Sequence, residues 1–140
     1  MKLLSIIIPA YNEEKRIIKT LNKIQKYLLK KKISYEIIVV DDGSKDKTIQ
    51  LIKKLKDNKI IVKQNSRNRG KGYSTKKGML AASGKYALLT DADLSTPIEE
   101  LDKFLELIPK YDLVIGSRKT KESKLVVKQP FYRVLAGNVL

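Results

Sequence analysis

The chain is predicted to fold as an α/β domain around a doubly wound, mostly parallel sheet, and three observations carry that prediction. Short continuous apolar runs (Leu3 to Ile8, Tyr35 to Val40, Tyr86 to Thr90) alternate with longer amphipathic stretches. The first two, interrupted only by Ser5 and Glu36, have the pattern of strands covered on both faces. The polar clusters Tyr11 to Glu13, Asp41 to Ser44, Asp91 to Asp93 and Ser117-Arg118 each fall just after such a run. Parallel strands joined by right-handed crossovers would gather those clusters in one crevice at their carboxyl ends.

Each element can be justified in turn. Leu3 to Ile8 is the first strand. Asn12 is expected to cap a helix with Glu13 and Glu14 in its first turn, Ile17, Leu21, Ile24 and Leu28 as its apolar stripe, and Lys30 to Lys32 at its end, as the helix dipole favours. Tyr35 to Val40 is the second strand, and Ser44 is expected to cap the helix carrying Ile49, Ile52 and Leu55. Ile60 to Val62 is the third strand. The polar loop Asn65 to Gly72 opens a helix reaching Ala82, with Gly84 as its stop. Tyr86 to Thr90 is the fourth strand. Thr96-Pro97-Ile98-Glu99 reads as a capping box starting a helix from Pro97 to Leu107. Leu113 to Gly116 is a fifth strand. Phe131 to Leu140 runs on as an apolar helix or interfacial segment.

Composition narrows the chemistry. At 140 residues the chain is long enough to bury a core as one domain. It has no cysteine and no histidine, which excludes disulfides, thiolate or imidazole zinc sites, and Ser-His or Cys-His nucleophilic relays. Carboxylates, hydroxyls, lysine and arginine must do the work. The net charge of +15 favours anionic partners, phosphorylated ligands or lipid head groups among them. Lysine supplies nearly all of it, on the polar faces of predicted helices. Nucleic-acid modules concentrate arginine with stacking aromatics, a pattern that the chain lacks, so no nucleic-acid partner is expected. The first apolar run is too short for a signal or membrane span.

Asp91-Ala92-Asp93 closes the fourth apolar run. On an extended strand, side chains at i and i+2 leave the same face, so two converging carboxylates would suit a hard divalent cation, Mg²⁺ or Mn²⁺, whose other ligands are water and substrate phosphates. The alternative is a turn or helix start. Asp42, before Gly43, is either a turn residue or an acceptor for a nucleoside N–H or hydroxyl. Arg69-Gly70-Lys71-Gly72 places glycines and cations at a helix N-terminus, as a phosphate cradle does. Neither G-x-x-x-x-G-K-[ST] nor a G-x-G-x-x-G after the first strand occurs, which argues against a nucleoside-triphosphatase or a nicotinamide-dinucleotide enzyme.

Five stretches taken in order, Ser5 to Glu14, Val39 to Ser44, Arg69 to Gly72, Asp91 to Pro97 and Ile115 to Arg118, resemble glycosyltransferase family 2, and within it most closely the dolichyl-phosphate glucosyltransferase branch. The resemblance implies a Rossmann-like GT-A fold over residues 1–118, followed by a basic, partly apolar acceptor-side or membrane-proximal segment at 119–140. It implies that Pro9, Tyr11 and Glu13 line the nucleoside pocket with Val40 and Asp42 beside the base, that Lys71 and Ala92 meet the nucleotide sugar, and that Asp91 and Asp93 hold the metal against the diphosphate. It puts Ser117, Arg118 and Arg133 at an acceptor phosphate, and makes Asp91, Asp93 and Arg118 the catalytic set. Ser95 stands where mannose-transferring relatives often carry glutamine, which favours glucose.

The activity implied is inverting, metal-dependent transfer of a hexose, with UDP-glucose as the favoured donor, to a polyprenyl (dolichyl) phosphate at the cytoplasmic face of a membrane. The protein would be peripheral there, or anchored in its full-length form. A phosphate acceptor is already anionic near neutral pH, with a second pKa of about 6, so no general base is needed. Lys119, Lys121, Lys124, Lys128 and Arg133 would meet anionic head groups or form a solvated loop. Three alternatives stay open: a family 2 transferase acting on a glycan or protein hydroxyl, a GDP-mannose-dependent dolichyl-phosphate mannosyltransferase, and a basic lipid- or RNA-binding fragment.

Overall fold

A computed structural model describes residues 1–116. Its sheet has four parallel strands, β1 (Leu4–Ala10), β2 (Tyr35–Asp41), β3 (Ile60–Gln64) and β4 (Tyr86–Leu89), in the order β3-β2-β1-β4. The connecting helices are α1 (Ile17–Lys30), α2 (Thr48–Lys54) and α3 (Lys71–Ala81). After β4 come a 3-10 turn (Ile98–Glu100), α4 (Leu101–Leu107) and a second 3-10 turn (Ile108–Lys110). The chain divides into two compact units, Met1–Leu101 and a second beginning at Asp102.

The central strands are where the apolar runs led. Ile6, Ile7 and Ile8 of β1 and Ile37, Ile38, Val39 and Val40 of β2 are all 0% exposed. Each such side chain contributes about 1.5–3 kcal/mol relative to remaining in water. The stripe Ile17, Leu21, Ile24 and Leu28 of α1 is buried as its spacing requires. On α3, Gly78 lets the helix lie against the sheet, since a Cβ there would come within 2.4 Å of Ile7 Cγ2 and 3.1 Å of Val40 Cγ2.

The expected helix caps fail, for one shared reason. α1 starts at Ile17, not beside Asn12, and Glu13 and Glu14 precede it. Asn12 has a left-handed φ of 54° and its Oδ1 accepts the Lys45 N–H, while Ser44 Oγ accepts the Asn12 N–H. Ser44 is no cap either, because α2 begins at Thr48 and Asp46 Oδ1 takes the Thr48 N–H. Asn12 and Ser44 thus satisfy the neighbouring loop instead of their own helices, while Asp46 serves both. The Thr96 capping box is also absent. The cap residue is Pro97, one position later, with an extended ψ of 140° and no capping side chain, and Glu99 lies 3.8 Å from Lys23.

Two further expectations are corrected. α3 ends at Ala81, where Ala82 turns extended, and Gly84 serves as a close neighbour of β1, its N–H donating to Ser5 Oγ at 2.8 Å. Leu113 to Gly116 is not a strand: Leu113 and Ile115 are 75% and 77% exposed, and no ladder among the described residues takes them.

Candidate active site

The strand order reverses around β1, and a cleft of about 280 Å³ opens beyond the carboxyl ends there. β1 and the loop after it supply Pro9, Ala10, Tyr11 and Glu13, the position just past β2 supplies Asp42, the loop after β3 and the start of α3 supply Asn68, Gly70, Lys71 and Ser74, and the turn after β4 supplies Asp91, Ala92 and Asp93. Of the expected donor-site residues, this cleft gathers all except Val40. Val40 lies wholly buried beneath α3, its Cγ2 facing Gly78. Ser117, Arg118, Arg133 and the segment from 119 to 140 lie outside the described residues.

Asp42 is the keystone of the floor. It is 4% exposed, and its carboxylate accepts the Asn65 amide at 2.7 Å, the Arg69 N–H at 2.9 Å and the Gly70 N–H at 2.8 Å. Gly70 sits at φ 93°, a left-handed conformation that glycine adopts without a Cβ penalty. Burial alone would raise the Asp42 carboxyl, but the hydrogen bonds from Asn65, Arg69, Gly70 and Ser74 outweigh it and hold the group below the usual carboxylate range. The carboxylate therefore stays charged and pins the Arg69-Gly70 loop at the start of α3. Lys71, the first residue of that helix, then reaches across the cleft to Asp91 Oδ1 at 2.5 Å.

The acidic pair does not lie on an extended strand. β4 ends at Leu89, and Asp91 to Leu94 form a turn closed by the Leu94 N–H on the Asp91 carbonyl at 3.1 Å. Asp93 Oδ1 accepts the Ser95 N–H at 3.0 Å, and Leu94 adopts φ 49°. Both aspartates still line the cleft, brought there by the turn and not by strand alternation. The donor set fits a hard divalent cation. It offers two oxygen ligands on one wall, with Asp91 already holding a cationic group and 44% of its side chain open. Among the described residues no cluster of three or more ligating side chains occurs, so substrate and water oxygens would complete the shell.

The β1–α1 loop is strapped to the β2–α2 loop by backbone donors. The Glu13 N–H bonds Thr48 Oγ1 at 2.8 Å, the Glu14 N–H bonds Asp46 Oδ2 at 3.0 Å, and the Lys47 N–H bonds Glu14 Oε2 at 3.0 Å. Glu13 itself takes both Nε and Nη2 of Arg16, at 2.7 and 3.0 Å. Burial would raise the Asp46 carboxyl, yet Thr48 and the backbone donors hold it below its ordinary value. A larger hollow, about 700 Å³, is lined by this strap, but none of the acidic-turn residues line it.

Sequence reasoning missed four contributors: Asn65 and Ser74 under Asp42, and Asp46 and Thr48 in the strap. Asn65 and Ser74 are 7% and 0% exposed, yet each is flanked in sequence by exposed or half-buried residues, so nothing in the sequence singles them out.

Comparison with known proteins agrees with this geometry. The chain is 39% identical to a dolichyl-phosphate beta-glucosyltransferase of Dictyostelium discoideum, over 93% of this chain and 44% of that protein. It is 40% identical to a dolichol-phosphate mannosyltransferase of Pyrococcus furiosus, over 94% of this chain and 37% of that one. The chain therefore spans less than half the length of these curated relatives. Among solved structures, S. aureus TarS 1-349 in complex with UDP-GlcNAc superposes with a TM-score of 0.60 at 33% identity, covering 76% of this chain and 31% of that one. The mannosyltransferase PcManGT of Pyrobaculum calidifontis, in complex with GDP-Man and Mn²⁺, superposes with a TM-score of 0.59 at 26% identity, covering 69% and 29%. The model of the family described as Glycosyl transferase family 2 matches residues 5–137. A four-stranded parallel sheet, the polar cleft at its carboxyl rim and that match lead to one conclusion: the chain belongs to glycosyl transferase family 2.

Proposed function

We propose that this chain carries the donor site of an inverting transferase that moves a hexose, glucose from UDP-glucose foremost, to a polyprenyl phosphate at a membrane surface. The observation that carries the reading is the convergence on one cleft of Tyr11, the Asp42-pinned Arg69-Gly70-Lys71 loop, and the carboxylates of Asp91 and Asp93. Tyr11, 41% exposed, offers a ring at the mouth of the nucleoside pocket that Pro9 and Glu13 help to line. Lys71 and the N–H groups at the start of α3 face the diphosphate. Asp91 and Asp93 would hold Mg²⁺ or Mn²⁺, which when bound neutralises charge developing on the departing nucleoside diphosphate.

The polyprenyl-phosphate acceptor attacks the anomeric carbon in line, already anionic, so the site needs no general base. A single displacement inverts the anomeric centre. Ser117, Arg118 and Arg133 are assigned to the acceptor phosphate, where a guanidinium binds bidentately. The basic residues of 119–140 are assigned to the cytoplasmic face of the bilayer. Among the described residues no helix is long and apolar enough to cross a membrane.

A second reading, a GDP-mannose donor, is favoured by the likeness to the Pyrococcus mannosyltransferase and opposed by Ser95. Calorimetric titration of UDP and of GDP, each with and without Mn²⁺, separates them. UDP bound more tightly with Mn²⁺, and the Mn²⁺ gain lost in Asp93→Ala, is the expected result. A preference for GDP would move the assignment to mannose. No metal-linked nucleotide binding, with steeply salt-dependent RNA binding in its place, would sink the donor site altogether.

A further inference from the structure

α1 carries one hydroxyl in a buried stripe that is otherwise aliphatic. Thr20 is 5% exposed, among Ile17, Leu21 and Ile24 at 0%. A helical threonine commonly bonds back to the carbonyl one turn earlier. Thr20 Oγ1 instead donates to the carbonyl of Ala92 at 2.6 Å, across 72 residues of sequence. Ala92 is the residue between the two cleft aspartates, itself 4% exposed, and its carbonyl sits inside the Asp91–Leu94 turn, where a buried acceptor needs a donor. The turn is also strained: a bulky residue such as Leu94 at φ 49° persists where its surroundings over-determine it. A β-branched side chain, stiff at χ1, delivers its hydroxyl in a fixed direction.

We infer that Thr20 is a positioning residue of the donor site, its hydroxyl locking the Ala92 peptide so that Asp91 and Asp93 hold the spacing a cation and a diphosphate require. The inference rests on the reading of those aspartates as cation ligands. Thr20 touches neither ligand nor metal; it acts through the turn, as outer-shell partners of metal ligands do.

The test is UDP titration of the 140-residue chain with and without Mn²⁺, on wild type, Thr20→Val, Thr20→Ser and Asp93→Ala. Thr20→Val is expected to lower the Mn²⁺-dependent gain in UDP affinity about tenfold while leaving metal-free UDP affinity unchanged, and Thr20→Ser to restore the gain to within about twofold of wild type. A merely structural role would move both affinities together and overturn the inference. So would a wild-type gain in Thr20→Val alongside its loss in Asp93→Ala. A gain that survives in Asp93→Ala would instead overturn the donor-site reading beneath it. If Thr20→Val does not fold, Thr20→Ala replaces it under the same criteria, since it removes the hydroxyl without adding bulk.

Discussion

Lys71 and Asp91 meet at 2.5 Å with 63% and 44% of their side chains open to water. An ion pair so exposed contributes about 0–1 kcal/mol to folding, so its value lies in what it prepares. Lys71 orients Asp91 in the free protein, and in the proposed donor site it would turn to the diphosphate when a divalent cation takes the carboxylate. Lys71→Met is therefore expected to change stability by less than about 1 kcal/mol in urea unfolding, yet to weaken Mn²⁺-UDP binding about tenfold by calorimetry. Unchanged nucleotide affinity would remove Lys71 from the donor site. Asp91, Asp93 and Lys71 were legible in the sequence because acids just after an apolar run and a lysine among glycines need no partner to be noticed. Thr20, Asn65 and Ser74 were not, because their meaning lies in contacts made across the chain: Thr20 reads as one more helical residue until Ala92 is folded against it.

At the scale of elements, β1, β2 and the α1 stripe were legible because continuous apolar runs and a helical period of apolar residues mark them without reference to anything distant, whereas the short run Leu113 to Gly116 carried the same mark and joined no ladder. The helix starts were not legible. Asn12, Ser44 and Asp46 have the chemistry of caps, but the loops after β1 and β2 lie side by side, and these side chains are taken up by backbone N–H groups of the facing loop. The acidic turn was misread for a related reason: an i, i+2 pair reads as strand until the ladder is known to stop at Leu89. α3 depends on a missing side chain. Gly78→Ala would gain helix propensity, about 1 kcal/mol at most, but its methyl would enter space held by Ile7 and Val40. Overpacking costs about 1–3 kcal/mol, so a net loss of stability is expected, seen as a lower urea midpoint. A midpoint that rises would mean the helix can lift from the sheet without penalty.

Across the whole of the unit Met1–Leu101, chemistry and stability sit on opposite rims of the sheet. The cleft occupies the carboxyl ends, while Glu36, near the start of β2, accepts bonds from Lys2 at 2.6 Å, Ser5 at 2.6 Å and both donors of Ser83 at 2.8 and 2.9 Å. Burial would raise the Glu36 carboxyl, but these bonds outweigh it and lower the group from 4.5 to about 2. Because the folded value lies below the unfolded one, this stabilisation is complete above about pH 4.5 and fades as pH falls toward about 2. Glu36→Gln should accordingly be less stable by about 3 kcal/mol at neutral pH, with the gap to wild type closing across that window in urea melts. A gap independent of pH would show that shape, not charge, holds this rim. The parallel architecture was legible as a whole, since apolar runs separated by helices admit few other arrangements. Its register has a kinetic corollary. Leu4 pairs with Tyr35 on one side and with Tyr86 on the other, so the middle strand waits for a neighbour that leaves the ribosome far later. Such long-range closure is slow, and during synthesis the wall of the cleft built on β1 and β2 can form well before the acidic one.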